Sequence, residues 1–127
     1  MQAEPKDLEL IQAARQTIDR NLDEVNERHT VGAAVRCING KVYTGVNLYS
    51  IHGSCAEFIA IGAAITAGER EFDALVATRA QMEGGVLLPP CGNCREMLVR
   101  YAPDIQVLVE TVSGVEKFSI QELIPHH

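Results

Sequence analysis

The chain has 127 residues, 11 Lys and Arg against 17 Asp and Glu, and a formal net charge of -6. That length suits a single domain over 1–127 that buries roughly two-thirds of its unfolded surface. The acidic balance argues against a nucleic-acid partner, and no apolar run approaches the about 20 residues needed to cross a bilayer.

The opening run Met1-Gln2-Ala3-Glu4-Pro5-Lys6-Asp7 is acidic and lacks the apolar stretch of a signal peptide, so a cytoplasmic, reducing setting is expected. Ile11, Ala14, Ile18, Leu22 and Val25 recur at three- and four-residue steps, which predicts an amphipathic helix over Asp7–Arg28. Val31–Ile38 and Lys41–Val46 read as strands joined by an Asn39-Gly40 turn. Leu48–Ser54 is polar and irregular. Cys55–Ala67 is dense in Ala and Ile and predicts a buried helix stopped by Gly68. Phe72–Arg79 reads as a strand and Ala80–Pro90 as a loop. Cys91–Tyr101 reads as a helix ended by Pro103. Strands at Ile105–Glu110 and Val115–Phe118 flank a Ser113-Gly114 turn, and Ile120–Ile124 forms a closing helical turn. Helices alternating with strands after an initial hairpin predict an α/β fold, a mixed sheet with helices on both faces.

Four cysteines in a reducing setting point to metal, catalysis or core rather than disulfides. Pro90-Cys91-Gly92-Asn93-Cys94 opens a predicted helix. A redox pair is one reading of Cys-x-x-Cys. A metal site is the better one, because two thiolates at this spacing can grip one zinc ion. Cys55 also stands at a helix start. Two helix N-termini converging on one ion would bring three thiolates to it, and their N–H groups and dipoles would offset the excess negative charge. Three ligands leave a tetrahedral position open, as in a catalytic zinc site. Zinc lowers the pKa of bound water toward about 7. Glu57, two residues after Cys55, can stand beside that water without coordinating the metal. Cys-x-Glu with a downstream Pro-Cys-x-x-Cys is the signature of zinc-dependent deaminases.

On these motifs, with Gly32-Ala33-Ala34, Gly45-Val46-Asn47 and Arg95, the stretch from about Val31 to Val109 resembles the cytidine deaminase family. The resemblance implies a three-layer α/β/α fold around a five-stranded mixed sheet, and a homotetramer. It implies zinc held by Cys55, Cys91 and Cys94, with Glu57 moving a proton from zinc water to ring N3 while hydroxide attacks C4. It gives Asn47 a sugar contact and the Ala56 backbone a contact with the cytosine carbonyl. Cysteine as the first ligand resembles the branch acting on free nucleosides, so a small nucleoside-like substrate is expected. Three departures stand out. Tyr49 replaces a Glu that grips the ribose hydroxyl, Phe58 replaces an Arg near the thiolates, and the Tyr49–Cys55 loop is short. Tyr49 and Phe58 both resemble the blasticidin S deaminase branch, whose substrate sugar is not ribose.

Other readings of these residues remain open at this level. Cys37 sits in an apolar strand and reads as core, the rival being a closed four-cysteine structural zinc site in a non-enzymatic interaction domain. His52 reads as a loop residue or as part of the pocket mouth. Asn47 can simply end a strand, and Tyr43 and Tyr49 can simply pack. Arg95 or backbone N–H groups are the candidates to balance the thiolates. The small residues of Cys55–Ala67 serve either the core or a subunit contact. His126 and His127 are assigned no role.

Overall fold

Pro5 at the first helical position and the Asp7 carboxylate, which accepts the Glu4 N–H at 2.8 Å, start a helix over Pro5–Asn21, α1. A computed structural model describes residues 1–124, so His126 and His127 lie outside the described residues. The helix is shorter than the periodicity predicted. Asp23 and Arg28 exchange two backbone hydrogen bonds, Asn26 bonds the Asp23 carboxylate, and Glu27 and His29 take positive φ. These local bonds compete successfully with the helix. Val25, which fits the apolar period, is 91% exposed.

Strands follow at Val31–Cys37 (β1) and Val42–Val46 (β2), then a helix at Ala56–Thr66 (α2) and a strand at Phe72–Arg79 (β3). The predicted loop after β3 contains a short 3-10 turn at Gln81–Glu83. A helix at Gly92–Tyr101 (α3), strands at Gln106–Thr111 (β4) and Gly114–Ser119 (β5), and a 3-10 turn at Ile120–Leu123 complete the order. The sheet runs β2-β1-β3-β4-β5. Every pairing is antiparallel except β3 with β4. A parallel pair needs a crossover, and α3 supplies it.

Alternation along the strands splits the interior into two layers. Ala34, Ala74, Val76 and Leu108 face Leu10, Ile11 and Ala14 of α1. Ala33, Val35, Leu75, Ala77 and Val107 face the other way, onto Ala56, Ala60 and Ala64 of α2 and Leu98 of α3. Helices therefore cover both faces, as expected. Two glycines permit the closest approaches. A Cβ on Gly32 would lie 2.7 Å from the Ala14 carbonyl oxygen, and one on Gly45 would lie 2.7 Å from the Ala60 nitrogen. Gly32-Ala33-Ala34 and Gly45-Val46-Asn47 thus have a packing reason to be small.

The α1 face also buries charge. Asp7 is fully buried; it pairs with Arg36 of β1 at 2.9 Å and Lys117 of β5 at 3.1 Å. Arg36 also pairs with Asp73 at 2.9 Å, and Lys117 with Glu4 at 3.1 Å. Burial opposes ionisation of Asp7, but the Glu4 N–H, Arg36 and Lys117 outweigh it and hold its pKa below the ordinary value. A depressed folded pKa gives stability that is present above the unfolded value, about 3.9, and lost as pH falls through the folded one. Asp7→Asn should therefore lower stability at pH 7 by about 3 kcal/mol, with Asp73 and Glu4 still pairing the two cations. Urea unfolding should show the gap between the two proteins narrowing as pH drops below 4.

Candidate metal centre and active site

Two helix starts meet at one place. Cys55 is the N-cap of α2 and Cys91 the N-cap of α3, both with extended backbone, while Cys94 lies in the first turn of α3. The Cys55 and Cys91 sulfurs are 3.6 Å apart, those of Cys91 and Cys94 3.5 Å, and all three lie within 4.8 Å of one another. A tetrahedral zinc with Zn–S bonds of about 2.3 Å sets its sulfurs about 3.8 Å apart, so the three thiols fit that ion. Cys37 is not part of the group. It is buried in the core against the α2–α3 layer. The closed four-cysteine site therefore has no geometric support among the described residues.

The thiols differ in acidity. Burial works against ionisation at Cys91, yet the backbone N–H groups of Cys94 and Asn93, with the neighbouring thiols, hold its pKa below the ordinary thiol value. Burial pushes Cys94 up, helped by the negative charge of Glu57 and by Cys91. Burial and Cys91 also push Cys55 up. Metal binding must expel the protons that Cys55 and Cys94 retain.

Arg95 is committed to backbone carbonyls. Its Nε donates to the Pro90 carbonyl at 2.8 Å and its Nη1 to the Leu123 carbonyl at 2.9 Å. It straps the loop before Cys91 to the C-terminal 3-10 turn. Phe58 packs against the core. Between the two candidates for balancing the thiolates, the backbone N–H groups at the start of α3 are the ones in place.

Glu57 is 5% exposed and lines the same cavity as Cys55, Ala56 and Cys91. Burial raises its pKa, against the opposing pull of its own backbone N–H and the Cys94 thiol. A carboxyl raised in this way can both accept and release a proton nearer neutral pH. The cavity measures about 170 Å³, and Val31, Asn47, Leu88 and Pro89 complete its wall. A larger apolar cavity of about 500 Å³ on the outer side of α3 holds no thiol and no part of this machinery.

Asn47 follows the end of β2 and is held on three sides. Its Oδ1 accepts the Val31 N–H at 3.1 Å, its Nδ2 donates to Thr30 Oγ1 at 3.2 Å, and its carbonyl accepts from His29 Nδ1 at 2.9 Å. Tyr49 is not with this group. It lies outside the inner cavity, 62% exposed, with its hydroxyl 3.3 Å from Thr30 Oγ1. No sequence motif marks Val31, Leu88 and Pro89 as cavity wall, or His29 and Thr30 as supports of Asn47. Val31 reads only as a strand start, and His29 becomes useful through a positive φ of 52° that sequence does not announce.

Residues 5–110 match the family described as the cytidine and deoxycytidylate deaminase zinc-binding region. A blasticidin-S deaminase of Bacillus cereus is 38% identical, with 94% of this chain and 90% of that protein covered. A cytidine deaminase of Halalkalibacterium halodurans is 33% identical, with 77% of this chain and 76% of that protein covered. The cytidine deaminase structure from Burkholderia pseudomallei superposes with a TM-score of 0.74 at 28% identity, covering 94% of this chain and 96% of the other. The Mycobacterium leprae cytidine deaminase gives 0.75 at 26% identity, covering 98% and 100%. The chain belongs to the cytidine and deoxycytidylate deaminase zinc-binding family, and zinc is its cofactor.

The geometry separates the cysteines by experiment. Cys37→Ala should keep one zinc per chain, whereas Cys91→Ser should lose most of it on dialysis against a mild chelator. Atomic emission on the dialysed proteins measures both.

Proposed function

We propose that this chain is a zinc-dependent hydrolase that converts the cytosine ring of a small free nucleoside to uracil, taking up water and releasing ammonia. The observation that carries this is the meeting of three thiols at two helix starts beside one buried carboxyl. Cys55, Cys91 and Cys94 hold the zinc. Bound zinc supplies activation of water near neutral pH. Glu57 takes one proton from the attacking water and delivers it to ring N3, which draws the attack to C4, and then moves the proton of the new C4 hydroxyl to the 4-amino nitrogen, which leaves as ammonia as the C4 carbonyl forms. Ala56 offers its backbone at the first turn of α2 to the cytosine carbonyl, and Asn47, fixed by Val31 and Thr30, meets the sugar. Tyr49 borders the sugar from outside.

Cytidine or deoxycytidine is the first substrate reading, in line with the family. Blasticidin S is the second. The 38% identity to the Bacillus cereus enzyme over nearly the whole chain favours it, as do Tyr49 and Phe58. Release of ammonia and the ultraviolet change on cytidine, deoxycytidine, blasticidin S and free cytosine would separate the two. Glu57→Gln should retain zinc and lose at least about 100-fold in kcat on the best of these. Retained zinc with full turnover would refute the proton role.

We place the enzyme in the cytoplasm, where reducing conditions keep the thiols available to metal. None of the described helices is long and apolar enough to cross a membrane. A homotetramer is the proposed assembly. Its support is α2, which after Glu57 carries no charge and leaves Gly62 and Ala63 exposed. Light scattering at micromolar concentration should give about four chains per particle, and a monomer there would overturn the assembly.

A further inference from the structure

β3 and β4 pair in parallel only at Ala74 with Gln106 and at Leu75 with Val107. Continued in that register, Thr78 would stand opposite Glu110. The chain itself comes between them. β1 occupies one edge of β3, with Gly32 opposite Thr78. Leu87 also bridges Thr78, so it lies on the other edge, the one toward β4. The Arg79 N–H donates to the Val86 carbonyl at 3.0 Å, and the Leu88 N–H donates to the Ala77 carbonyl at 2.8 Å. In that antiparallel pattern the N–H of Leu87 points away from β3. A buried N–H needs a partner. Leu87 is buried, and its N–H donates to the Glu110 carboxylate at 2.8 Å. A side chain of β4 thus replaces the ladder bond that its backbone would have made.

This wedge connects the two faces of the sheet. Successive side chains of a strand-paired segment point to opposite faces. Leu87 joins Leu10 and Val76 in the layer under α1, whereas Leu88 lines the cavity with Glu57 and Cys91. The first part of the loop is tied separately, since Arg15 Nη2 and the Thr78 hydroxyl both donate to the Gly85 carbonyl, at 2.8 and 3.1 Å. Further on, Arg95 holds the Pro90 carbonyl at 2.8 Å. Between those ties, the place of Leu88 and Pro89 depends on the two backbone bonds to β3 and on Glu110. The Glu110 bond has an ionised acceptor, and bonds of that kind are about twice as strong as neutral ones.

We propose that Glu110 is a positioning residue of the active site: it accepts the Leu87 N–H in the gap between β3 and β4, and so holds Leu88 and Pro89 as the wall against which the base lies. This rests on the deaminase reading above. Glu110 lies outside the cavity lining and acts through the backbone of Leu87. A wall that shifts weakens the hold on substrate and transition state alike, which raises KM and leaves kcat nearly unchanged. The zinc ligands keep their own supports at the starts of α2 and α3.

Two measurements on the zinc-loaded protein test it: hydrogen exchange by mass spectrometry, and steady-state deamination of cytidine, deoxycytidine and blasticidin S. Glu110→Ala should speed exchange of the Leu87 and Leu88 amides at least about tenfold. On the substrate that the wild type turns over best, it should raise KM at least about fivefold, with kcat within about twofold and zinc content unchanged. Glu110→Gln keeps an accepting oxygen at the same reach and should stay near the wild type in both measurements. Should Glu110→Ala fail to fold, Glu110→Asp, one methylene short, should show the same two changes at smaller size. Exchange at Leu87 and Leu88 that is indifferent to residue 110 overturns the clamp. Faster exchange with unchanged KM overturns the positioning role and leaves the deaminase reading standing. A wild type inactive on all three substrates overturns the deaminase reading, and with it the role of Glu110 in an active site.

Discussion

Three sulfur atoms within van der Waals reach of one another cannot all be anionic in a protein interior without a cation among them. That constraint organises this molecule. Cys94 and Cys55 are pushed toward the neutral thiol by burial and by their neighbours, and Glu57 is pushed toward the neutral acid. A positive ion among the sulfurs would offset the cost that burial places on these charges. The backbone contributes the rest, because α2 and α3 both point their N-termini at the sulfurs. Arg95 spends its Nε and Nη1 on the Pro90 and Leu123 carbonyls, which sets the loop before Cys91.

For two helices to begin at one point, they must share a face of the sheet. The strand order achieves this. α2 enters after the β1–β2 hairpin and α3 crosses from β3 to the parallel β4, so both lie over Val35, Leu75 and Val107. The opposite face is left to α1, whose charged attachment through Asp7, Arg36 and Lys117 fixes it on β1 and β5. The metal face relies on close apolar packing, with Ala60 against Gly45. The far face combines apolar packing with a buried ionic lock.

Much of this was legible from the sequence because the relevant signals are local. Cys-x-x-Cys after proline, Cys-Ala-Glu at a helix start and the strand alternation each declare themselves within a few residues. The end of α1 was not legible, because Leu22 and Val25 continue an apolar period that the Asp23–Arg28 turn interrupts. The second layer of the site was not legible either. His29, Thr30 and Val31 lie far along the chain from Asn47, and their role appears only when β1 and β2 pair and bring the strand ends together. The role of Arg95 was open for the same reason, since its partner Leu123 comes from the far end of the chain.

Lys117 donates its backbone N–H to the Met1 carbonyl at 2.6 Å, and Gln2 bridges to Glu116. The outer rim of β5 is thereby already occupied at its middle. A strand rim with vacant N–H and C=O groups is a template for pairing with another molecule, and blocking it steers contacts elsewhere. Copies of this protein therefore cannot zip along β5 into a continuous sheet without first displacing the chain's own first residues.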